Sequence, residues 1–247
     1  MEETATPPTR PRTDAPADRP RTVGRPRRTG ATPSGNPRQE ILDTAARLFA
    51  DRGYVATTMS EIARAVGLGQ SSVYYWFRSK EDLLRAMTGA NRESLEVAHR
   101  LAAVSTPPPV HLYAVLYADV LQMCRGALDF YDLERVAYTQ PEAFAEILAD
   151  YGRLRAEIEA VVDAGMRSGD FLAGDPRAAT LACLAQTEGI QHRFRTPAPD
   201  ATERGSALRG PADAARLAAA TAVRALLVDP ARSAEAERGA MAALGEA

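Results

Sequence analysis

The sequence predicts an all-α protein in which a small helix-turn-helix domain precedes a larger helical domain. Apolar residues recur at helical spacing over most of residues 38–228, and the strict apolar–polar alternation of half-buried strands is absent. Near the front of the chain, two predicted helices are separated by the turn Gly67-Leu68-Gly69, which is typical of a helix-turn-helix. A length of 247 residues allows one large domain or two modest ones.

Four short helices are predicted in the smaller domain from their start and stop signals. Asn36 is suited to cap the first helix, and Gly53 is suited to end it. A capping box at Thr58 begins the second helix, the third covers Gln70–Phe77, and the fourth begins at Lys80. The apolar residues of these helices recur on one side, so together they can form a small core.

Lys80 is the only lysine in the chain, in which all the other strongly basic side chains are arginine. It follows the aromatic, polar and basic segment Tyr74–Ser79, a combination that often meets a phosphate backbone. Over residues 38–84 six basic side chains balance six acidic ones, and the whole chain has a net charge of −2. Any affinity for DNA must therefore come from locally placed charges, hydroxyl groups and amides at helix starts.

The order of short motifs along residues 38–84 is specific. They occur in register with almost no gaps: Ile41–Phe49, Gly53-Tyr54, Thr57-Thr58, Glu61–Ala63, Ala65–Gly67, Tyr74–Phe77 and Lys80–Leu83. The pattern resembles the TetR family of bacterial regulators over about a fifth of the chain. The resemblance implies a DNA-binding transcription regulator whose helix-turn-helix domain acts in a homodimer.

The third helix of this domain is expected to be the recognition helix in the major groove. Gln70 is the candidate for a base edge, and three more residues are candidates for base or backbone contacts: Ser71, Ser72 and Tyr75. The resemblance implies that four further side chains hold phosphates: Thr58, Tyr74, Trp76 and Lys80. Each of these residues alone could be an ordinary surface or core residue, but the turn and the lysine in register favour DNA binding.

Residues 1–37 are predicted to be a disordered basic arm. They include eight of the 17 prolines and almost no large apolar side chains, so they cannot bury enough surface to fold. Five arginines and no acid occur over Arg19–Arg28. Gly24–Arg27 is similar to the core of an AT-hook, and minor-groove contacts are expected from Arg25, Arg27 and Arg28. A solvated basic leader is the alternative.

Residues 85–228 are predicted to form a helical domain for effector binding and dimerisation. Helices are expected near residues 80–104, 109–125, 129–139, 141–168, 175–194 and 211–228. Proline at the first helical position marks two of these starts, at Pro176 and Pro211. Residues 229–247 are assigned to a C-terminal tail, and a frayed alanine-rich helix is the alternative.

The last predicted helix of this domain has apolar or small residues on more than one side. One face comprises Ala214, Leu217, Ala218, Thr221, Ala225 and Val228, and other faces include Val223, Leu226 and Leu227. Such a helix needs two packing partners, and small residues let helices approach closely. The pattern and the resemblance together predict that the last two helices pair with their copies in a homodimer. Burial within one subunit is the alternative.

Aromatic residues are concentrated in the middle helices of the larger domain. We expect them to enclose a pocket for a small apolar or aromatic effector, with these candidate contacts: His111, Tyr113, Tyr117, Met123 and Tyr138. The alternative is that aromatic residues at helical spacing are simply core.

Patterns for metal binding, catalysis or membrane insertion are not found in the sequence. Its three histidines lack metal-ligand spacing, so neither a metal nor another cofactor is expected. The absence of a nucleophile–base arrangement and of a glycine-rich phosphate loop argues against an enzyme. No apolar run approaches ~18 residues. Cys124 and Cys183 are lone cysteines in a chain that we expect to be cytoplasmic and free of disulfides.

These features predict a homodimeric transcription regulator. We expect a repressor that a small-molecule effector releases from its operator. An activator, or a regulator controlled by a partner protein, would instead have a filled helical core. An enzyme or lipid carrier that kept the fold would have an enclosed pocket with paired titratable groups and no affinity for DNA.

Overall fold

The computed structural model describes residues 36–88, 92–126, 130–139, 141–142, 144–196 and 208–246, and helices make up most of them. The helices are α1 (Pro37–Arg52), α2 (Met59–Val66), α3 (Gln70–Trp76), α4 (Lys80–Thr88), α5 (Glu93–Ala103), α6 (Pro108–Arg125), α7 (Phe130–Thr139), α8 (Ala145–Ser168), α9 (Pro176–Arg195), α10 (Pro211–Leu226) and α11 (Ser233–Leu244). The predicted all-α fold with an N-terminal helix-turn-helix is confirmed.

The predicted capping signals operate at the N-terminal helices. The Asn36 side chain accepts a hydrogen bond from the backbone N–H of Gln39 at 3.2 Å, which begins α1. Thr58 and Glu61 form a complete capping box before α2, and Gly67 ends α2 at a φ of 75°. Glycine adopts this left-handed conformation at little cost, so the turn into α3 can be short.

A small apolar core holds α1–α4 together. Its buried side chains include Ile41, Ala45, Phe49, Ile62, Val73, Phe77, Leu83 and Leu84. Val136 and Ala137 of α7 pack into the same cluster, and so does Phe144, which precedes α8. The helix-turn-helix is therefore not an isolated module, because elements of the larger domain complete its core.

Helix α6 is the centre of the larger domain. It is buried along nearly its whole length, and it contacts α5, α8, α9, α10 and α11. Because α6 has neighbours on every side, residues a few positions apart on it point into different layers of the domain.

The C-terminal residues differ most from expectation. Where the sequence analysis assigned a tail, a short turn at Pro230–Arg232 leads into α11, which packs along α6 and buries Ala236, Ala240 and Met241. Gly239 lies so close to Val110 that a Cβ added to the glycine would be 2.8 Å from the valine side chain. The small residues of this segment allow the two helices to approach closely.

The other predicted helices agree with the structure to within a few residues, with one exception. The single helix predicted over residues 80–104 is two helices, α4 and α5, on either side of residues 89–91, which lie outside the described part of the chain. None of the described helices is long and apolar enough to cross a membrane.

Candidate functional site

Helix α3 presents a polar and aromatic face to solvent. Val73 is fully buried, and Phe77, directly after the helix, is 3% exposed, so these two side chains anchor α3 on the core. Gln70, Ser71 and Ser72 are exposed on α3. A short helix with an anchored inner face and a free outer face has the geometry of a recognition helix. The individual DNA contacts remain predictions.

Three consecutive aromatic residues stand at the end of α3. Tyr74 and Trp76 are each 43% exposed, and Tyr75 is 81% exposed. The rings of Tyr75 and Trp76 meet edge to face, with centroids 5.3 Å apart. Exposed aromatic groups clustered on one surface mark an interaction site, and their hydroxyl and indole N–H groups can donate to phosphates.

The ammonium group of Lys80 lies against the loop between α1 and α2. Its Nζ donates to backbone carbonyl oxygens of Tyr54 at 2.7 Å, Thr57 at 2.9 Å and Val55 at 3.3 Å. It also lies 4.3 Å from the centre of the Tyr54 ring. Burial lowers the pKa of Lys80, while the neighbouring Glu81 acts in the opposite sense.

This arrangement explains why a lysine occupies position 80. An ammonium group has three donors on one nitrogen, which suits three convergent carbonyl oxygens, whereas the planar guanidinium of arginine does not. Lys80 therefore holds the α1–α2 loop against the start of α4 in the free protein. The phosphate contact that the resemblance implies remains a prediction, and it would require the ammonium to share or exchange these partners.

Thr58 is also engaged, at the start of α2. Its hydroxyl donates to Glu61 Oε2 at 2.8 Å and accepts from the Glu61 backbone N–H at 3.2 Å. The hydroxyl and the backbone N–H of Thr58, which lies 2.8 Å from Glu61 Oε2, both donate to the Glu61 carboxyl group and lower its pKa. That group also pairs with Arg52 at 3.4 Å. Thr58 thus serves as a helix cap, and its predicted phosphate contact stays a prediction.

Residues 1–35 of the basic arm lie outside the described residues, and so do its predicted minor-groove contacts Arg25, Arg27 and Arg28. The last two residues assigned to the arm, Asn36 and Pro37, cap and begin α1. The first turn of α1 is nevertheless close to the end of α3, because the Arg38 guanidinium lies 5.3 Å from the centre of the Phe77 ring. The chain therefore enters the folded domain beside the recognition helix.

A cavity of about 410 Å³ lies in the larger domain among α5, α6, α7, α8 and α9. Apolar side chains form much of its wall: Leu95, Met123, Ala137, Ile147, Leu148, Leu154, Leu181 and Leu184. Tyr138 and Tyr151 also line it. A volume of this size is in the range that encloses small organic ligands.

The structure brings two of the five predicted effector contacts, Met123 and Tyr138, to this cavity, but not the other three. The buried His111 has Nε2 3.0 Å from the Ala98 carbonyl oxygen, and Tyr113 is fully buried in the core. Tyr117 lines a separate cleft of about 340 Å³, and its hydroxyl donates to Glu246 at 2.6 Å. These three residues are therefore not contacts of the cavity, because they point from α6 into other layers of the domain.

The cavity has an acidic end formed by residues of α6 and α9. The Asp119 carboxylate accepts hydrogen bonds from three neutral side chains: Gln191 at 3.2 Å, Ser94 at 3.4 Å and Gln122 at 3.4 Å. Glu188 accepts one from the Tyr151 hydroxyl at 2.8 Å. Burial raises the pKa of Asp119 to about 6 and that of Glu188 to about 7.

Sequence reasoning missed this acidic end because its residues come from different helices and no motif joins them. One local signal was available. Asp119 is the only Asp, Glu, Lys or Arg between Pro108 and Cys124, in a helix that is otherwise largely apolar. An ionisable residue that is held in an apolar helix is a candidate functional residue.

The fold and the exposed face of α3 define a helix-turn-helix transcription regulator with a second, helical domain that contains a cavity. Residues 41–87 match the family model described as bacterial regulatory proteins, tetR family. This match covers the DNA-binding domain and agrees with the resemblance to the TetR family that its motifs predict.

Relatives and solved structures support this assignment. The transcriptional regulator BetI of Rhizobium meliloti is 39% identical over 70 residues, which span 27% of this chain and only 34% of BetI. The transcriptional repressor KstR2 of Rhodococcus jostii is 27% identical over 168 residues, covering 67% of this chain and 82% of KstR2. The crystal structure of Mycobacterium smegmatis AmtR superposes with a TM-score of 0.65 at 28% identity, covering 90% and 98% of the two chains. The relatives named here are regulators, in line with the prediction that the chain is not an enzyme.

Proposed function

We propose that this protein represses transcription as a homodimer bound to its operator through α3, and that a small molecule in the cavity releases it. The observation that carries this proposal is a wall shared by the cavity and the DNA-binding domain. Ala137 and Ile147 line the cavity and also pack with the core of α1–α4. A ligand that fills the cavity would press on elements that complete the core of the helix-turn-helix.

A second connection runs through Arg92, which immediately precedes α5. Its guanidinium pairs with two carboxylates of α8, Asp150 at 2.8 Å and Glu146. Arg92 and Asp150 both line the cavity, and Arg92 is only four positions beyond Thr88, the last residue of α4. A displacement of α8 by a ligand would therefore act on the chain segment that leads to α4.

Release from DNA requires that the ligand bind one arrangement of the domains better than another. The two recognition helices of a dimer must meet successive major grooves, about 34–36 Å apart, so a small movement of each DNA-binding domain changes the fit. A coupling free energy of about 1–3 kcal/mol would change the affinity for DNA by about 5–150-fold.

Exposed apolar side chains on α9 and α10 support the homodimer. Leu217 on α10 is 42% exposed, and Leu181 on α9, which also lines the cavity, is 67% exposed. The opposite side of α10 is buried within the subunit, at residues that include Ala214, Ala218 and Ala222. One face of α10 is thus buried within its own subunit, and another face is left for a second copy of the chain. In a two-fold dimer the second copy would contribute the same surface.

The cavity favours control by a small ligand over control by a partner protein, since the second alternative expects a filled core. Paired acids in a cavity would also suit an enzyme or a carrier, but the exposed recognition helix and the family favour DNA binding. Repression is supported by KstR2, a relative that is named a repressor.

The proposal can be examined by footprinting the DNA beside the gene, with and without ligand, and by measuring the mass of the complex in solution. We expect a dimer on a near-palindromic site, with half-site centres one or more helical turns apart. A monomer that protects single half-sites would contradict the dimer. A ligand that occupies the cavity without changing DNA affinity would contradict the release mechanism.

A further inference from the structure

The residues that line the cavity carry an excess of acid. The acidic ones are Asp119, Glu134, Asp150 and Glu188, and the basic ones are Arg92 and Arg155. Arg92 already pairs with Asp150 and with Glu146, and Arg155 is an exposed residue. The α6–α9 end of the cavity therefore has a negative charge that the arginines of its lining do not neutralise.

Within the described part of the chain, the two carboxylates at this end accept hydrogen bonds from neutral donors. Asp119 is held by amide and hydroxyl groups, and Glu188 by the hydroxyl of Tyr151. Burial raises the pKa of Glu188, the hydrogen bond from Tyr151 lowers it, and the charges of Asp119 and Glu134 raise it. Carboxylates that share a poorly solvated site either retain a proton or gain stability from a cation.

Gln191 adds a buried acceptor that has no donor. Its side chain is 1% exposed, and it lines the cavity. Its Nε2 donates to Asp119 at 3.2 Å, whereas its Oε1 has no hydrogen-bond partner within the described part of the chain. If the Gln191 amide were flipped, its Oε1 would face the Asp119 carboxylate and the two oxygens would repel each other. The contact with Asp119 therefore supports the orientation in which Nε2 faces the carboxylate. A buried acceptor without a partner is rare in proteins and indicates a missing donor.

We propose that the ligand of this cavity is an amine, protonated at neutral pH, with an apolar or aromatic body. The proposal rests on the function proposed above and specifies the chemical class of its effector. The ammonium group would lie between Asp119 and Glu188 and donate an N–H to Gln191 Oε1. The body would lie against apolar wall residues such as Met123 and Leu184. The sequence predicts an apolar or aromatic effector, and the structure adds a positively charged hydrogen-bond donor at one end of it.

A primary amine fits this end better than other head groups of the same size. It supplies both a positive charge for the carboxylates and an N–H for the amide oxygen. An alcohol supplies a donor without the charge, a quaternary ammonium supplies the charge without a donor, and a carboxylate would be repelled. These differences can be measured with compounds that share one aromatic body.

The experiment uses the full-length protein at neutral pH and four indole compounds: tryptamine, tryptophol, indoleacetate and N,N,N-trimethyltryptamine. Dissociation constants are measured by calorimetric titration. We expect tryptamine to bind at least about tenfold more tightly than tryptophol, because a charge-assisted hydrogen bond contributes more than a neutral one. Trimethyltryptamine is expected to bind more weakly than tryptamine, and indoleacetate is expected not to bind.

Two variants locate the head group, and one serves as a control. Glu188→Gln removes a charge but keeps an oxygen for the Tyr151 hydroxyl, so the preference for tryptamine over tryptophol should fall about tenfold. Gln191→Met removes one acceptor of the ammonium group, so the preference for tryptamine over trimethyltryptamine should become smaller. Glu157→Gln makes the same chemical change as Glu188→Gln but on α8 outside the cavity lining, and should keep the preference for tryptamine. Having two variants keeps the test valid if one of them folds poorly.

Tryptophol that binds as tightly as tryptamine, indoleacetate that binds more tightly, or tryptamine that fails to bind at millimolar concentration would overturn the amine assignment. Displacement from operator DNA is measured separately by fluorescence anisotropy. Tryptamine that binds with the expected preference but leaves the DNA complex intact would contradict the release mechanism and support the head-group assignment. Equal release by tryptamine and tryptophol would support the release mechanism and contradict the head-group assignment.

Discussion

The DNA-binding domain and the cavity differ in how their functional residues are assembled. In the first, the recognition surface lies on α3 and its neighbours, and local caps such as the Thr58–Glu61 box set where each helix begins. In the second, the acidic end combines Asp119 of α6 with Glu188 and Gln191 of α9, which meet only when the helices pack. A surface that binds a regular polymer can thus be encoded by a short segment, whereas an enclosure for a small molecule depends on the tertiary structure.

The largest effect on stability is expected from Phe77→Ala, which removes an anchor of α3. Phe77 is 3% exposed, and deletion of a buried phenylalanine side chain costs about 3–5 kcal/mol, since it leaves a cavity as well as losing apolar burial. We expect a corresponding fall in the free energy of unfolding, measured in urea, together with the loss of DNA binding.

Tyr75→Ala is the matched control for Phe77→Ala, because Tyr75 is an aromatic residue of α3 that is 81% exposed. Its substitution should change the free energy of unfolding by no more than about 0.5 kcal/mol. Equal stability losses in the two variants would show that α3 is not anchored as described.

The next effect concerns Lys80, for which the structure and the resemblance make different predictions. Lys80→Ala leaves three carbonyl oxygens without their ammonium donor, so the free protein should lose about 1–3 kcal/mol of unfolding free energy. Lys80→Arg should recover only part of this loss, because a planar guanidinium cannot reproduce three convergent bonds. Thermal and urea unfolding in the absence of DNA measure both changes.

A purely phosphate-binding Lys80 would give another result. Stability of the free protein would be unchanged by Lys80→Ala, and the salt dependence of DNA binding would fall by ~1 unit. Arg85→Ala is a suitable control, since Arg85 is also on α4 but is exposed and pairs with Asp82 at the surface. Its effect on the free energy of unfolding should be under about 1 kcal/mol.

Lys80 also shows how far the sequence alone could go. Its uniqueness marked the position as special, but its partners belong to a loop more than twenty positions earlier, so its structural role appears only in the folded chain. Helices α1–α4 could be predicted because their caps and turns are local. The packing of helix α11 could not, because its alanines and Gly239 form a core only by close approach to α6. For the same reason the aromatic pattern of α6 could not reveal which residues face the cavity.

The acidic end of the cavity predicts a smaller effect, which depends on pH. Because the pKa of Glu188 is raised to about 7, the folded protein keeps a proton that the unfolded chain has already lost. The contribution of Glu188 to the free energy of unfolding therefore declines as the pH rises from about 4 to about 7, and it is constant at higher pH. Glu188→Gln should remove this part of the decline.

At pH 8 the Glu188→Gln variant is expected to be more stable than the parent protein by about 1 kcal/mol. This is less than the full pKa shift would give, because solvent screens the charge of a half-buried group. The two proteins should converge near pH 4, where the glutamate is protonated in both states. Unfolding midpoints across this pH range measure the difference. A variant less stable than its parent at pH 8 would show that the charge on Glu188 is already compensated in the free protein.

The smallest effect on stability is expected from Gln70→Ala, which should alter DNA recognition instead. Gln70 is exposed at the start of α3, so its truncation should change the free energy of unfolding by less than about 0.5 kcal/mol. If its amide reads a base edge, the variant should lose about 1–3 kcal/mol of discrimination at one base pair of each half-site while its affinity for random DNA stays constant. Anisotropy titrations on operators with single substitutions measure both quantities. Gln39→Ala, the same change at an exposed position of α1, should affect neither. An equal loss on operator and random DNA would assign Gln70 to the phosphate backbone, because contacts to phosphates carry no direct sequence information.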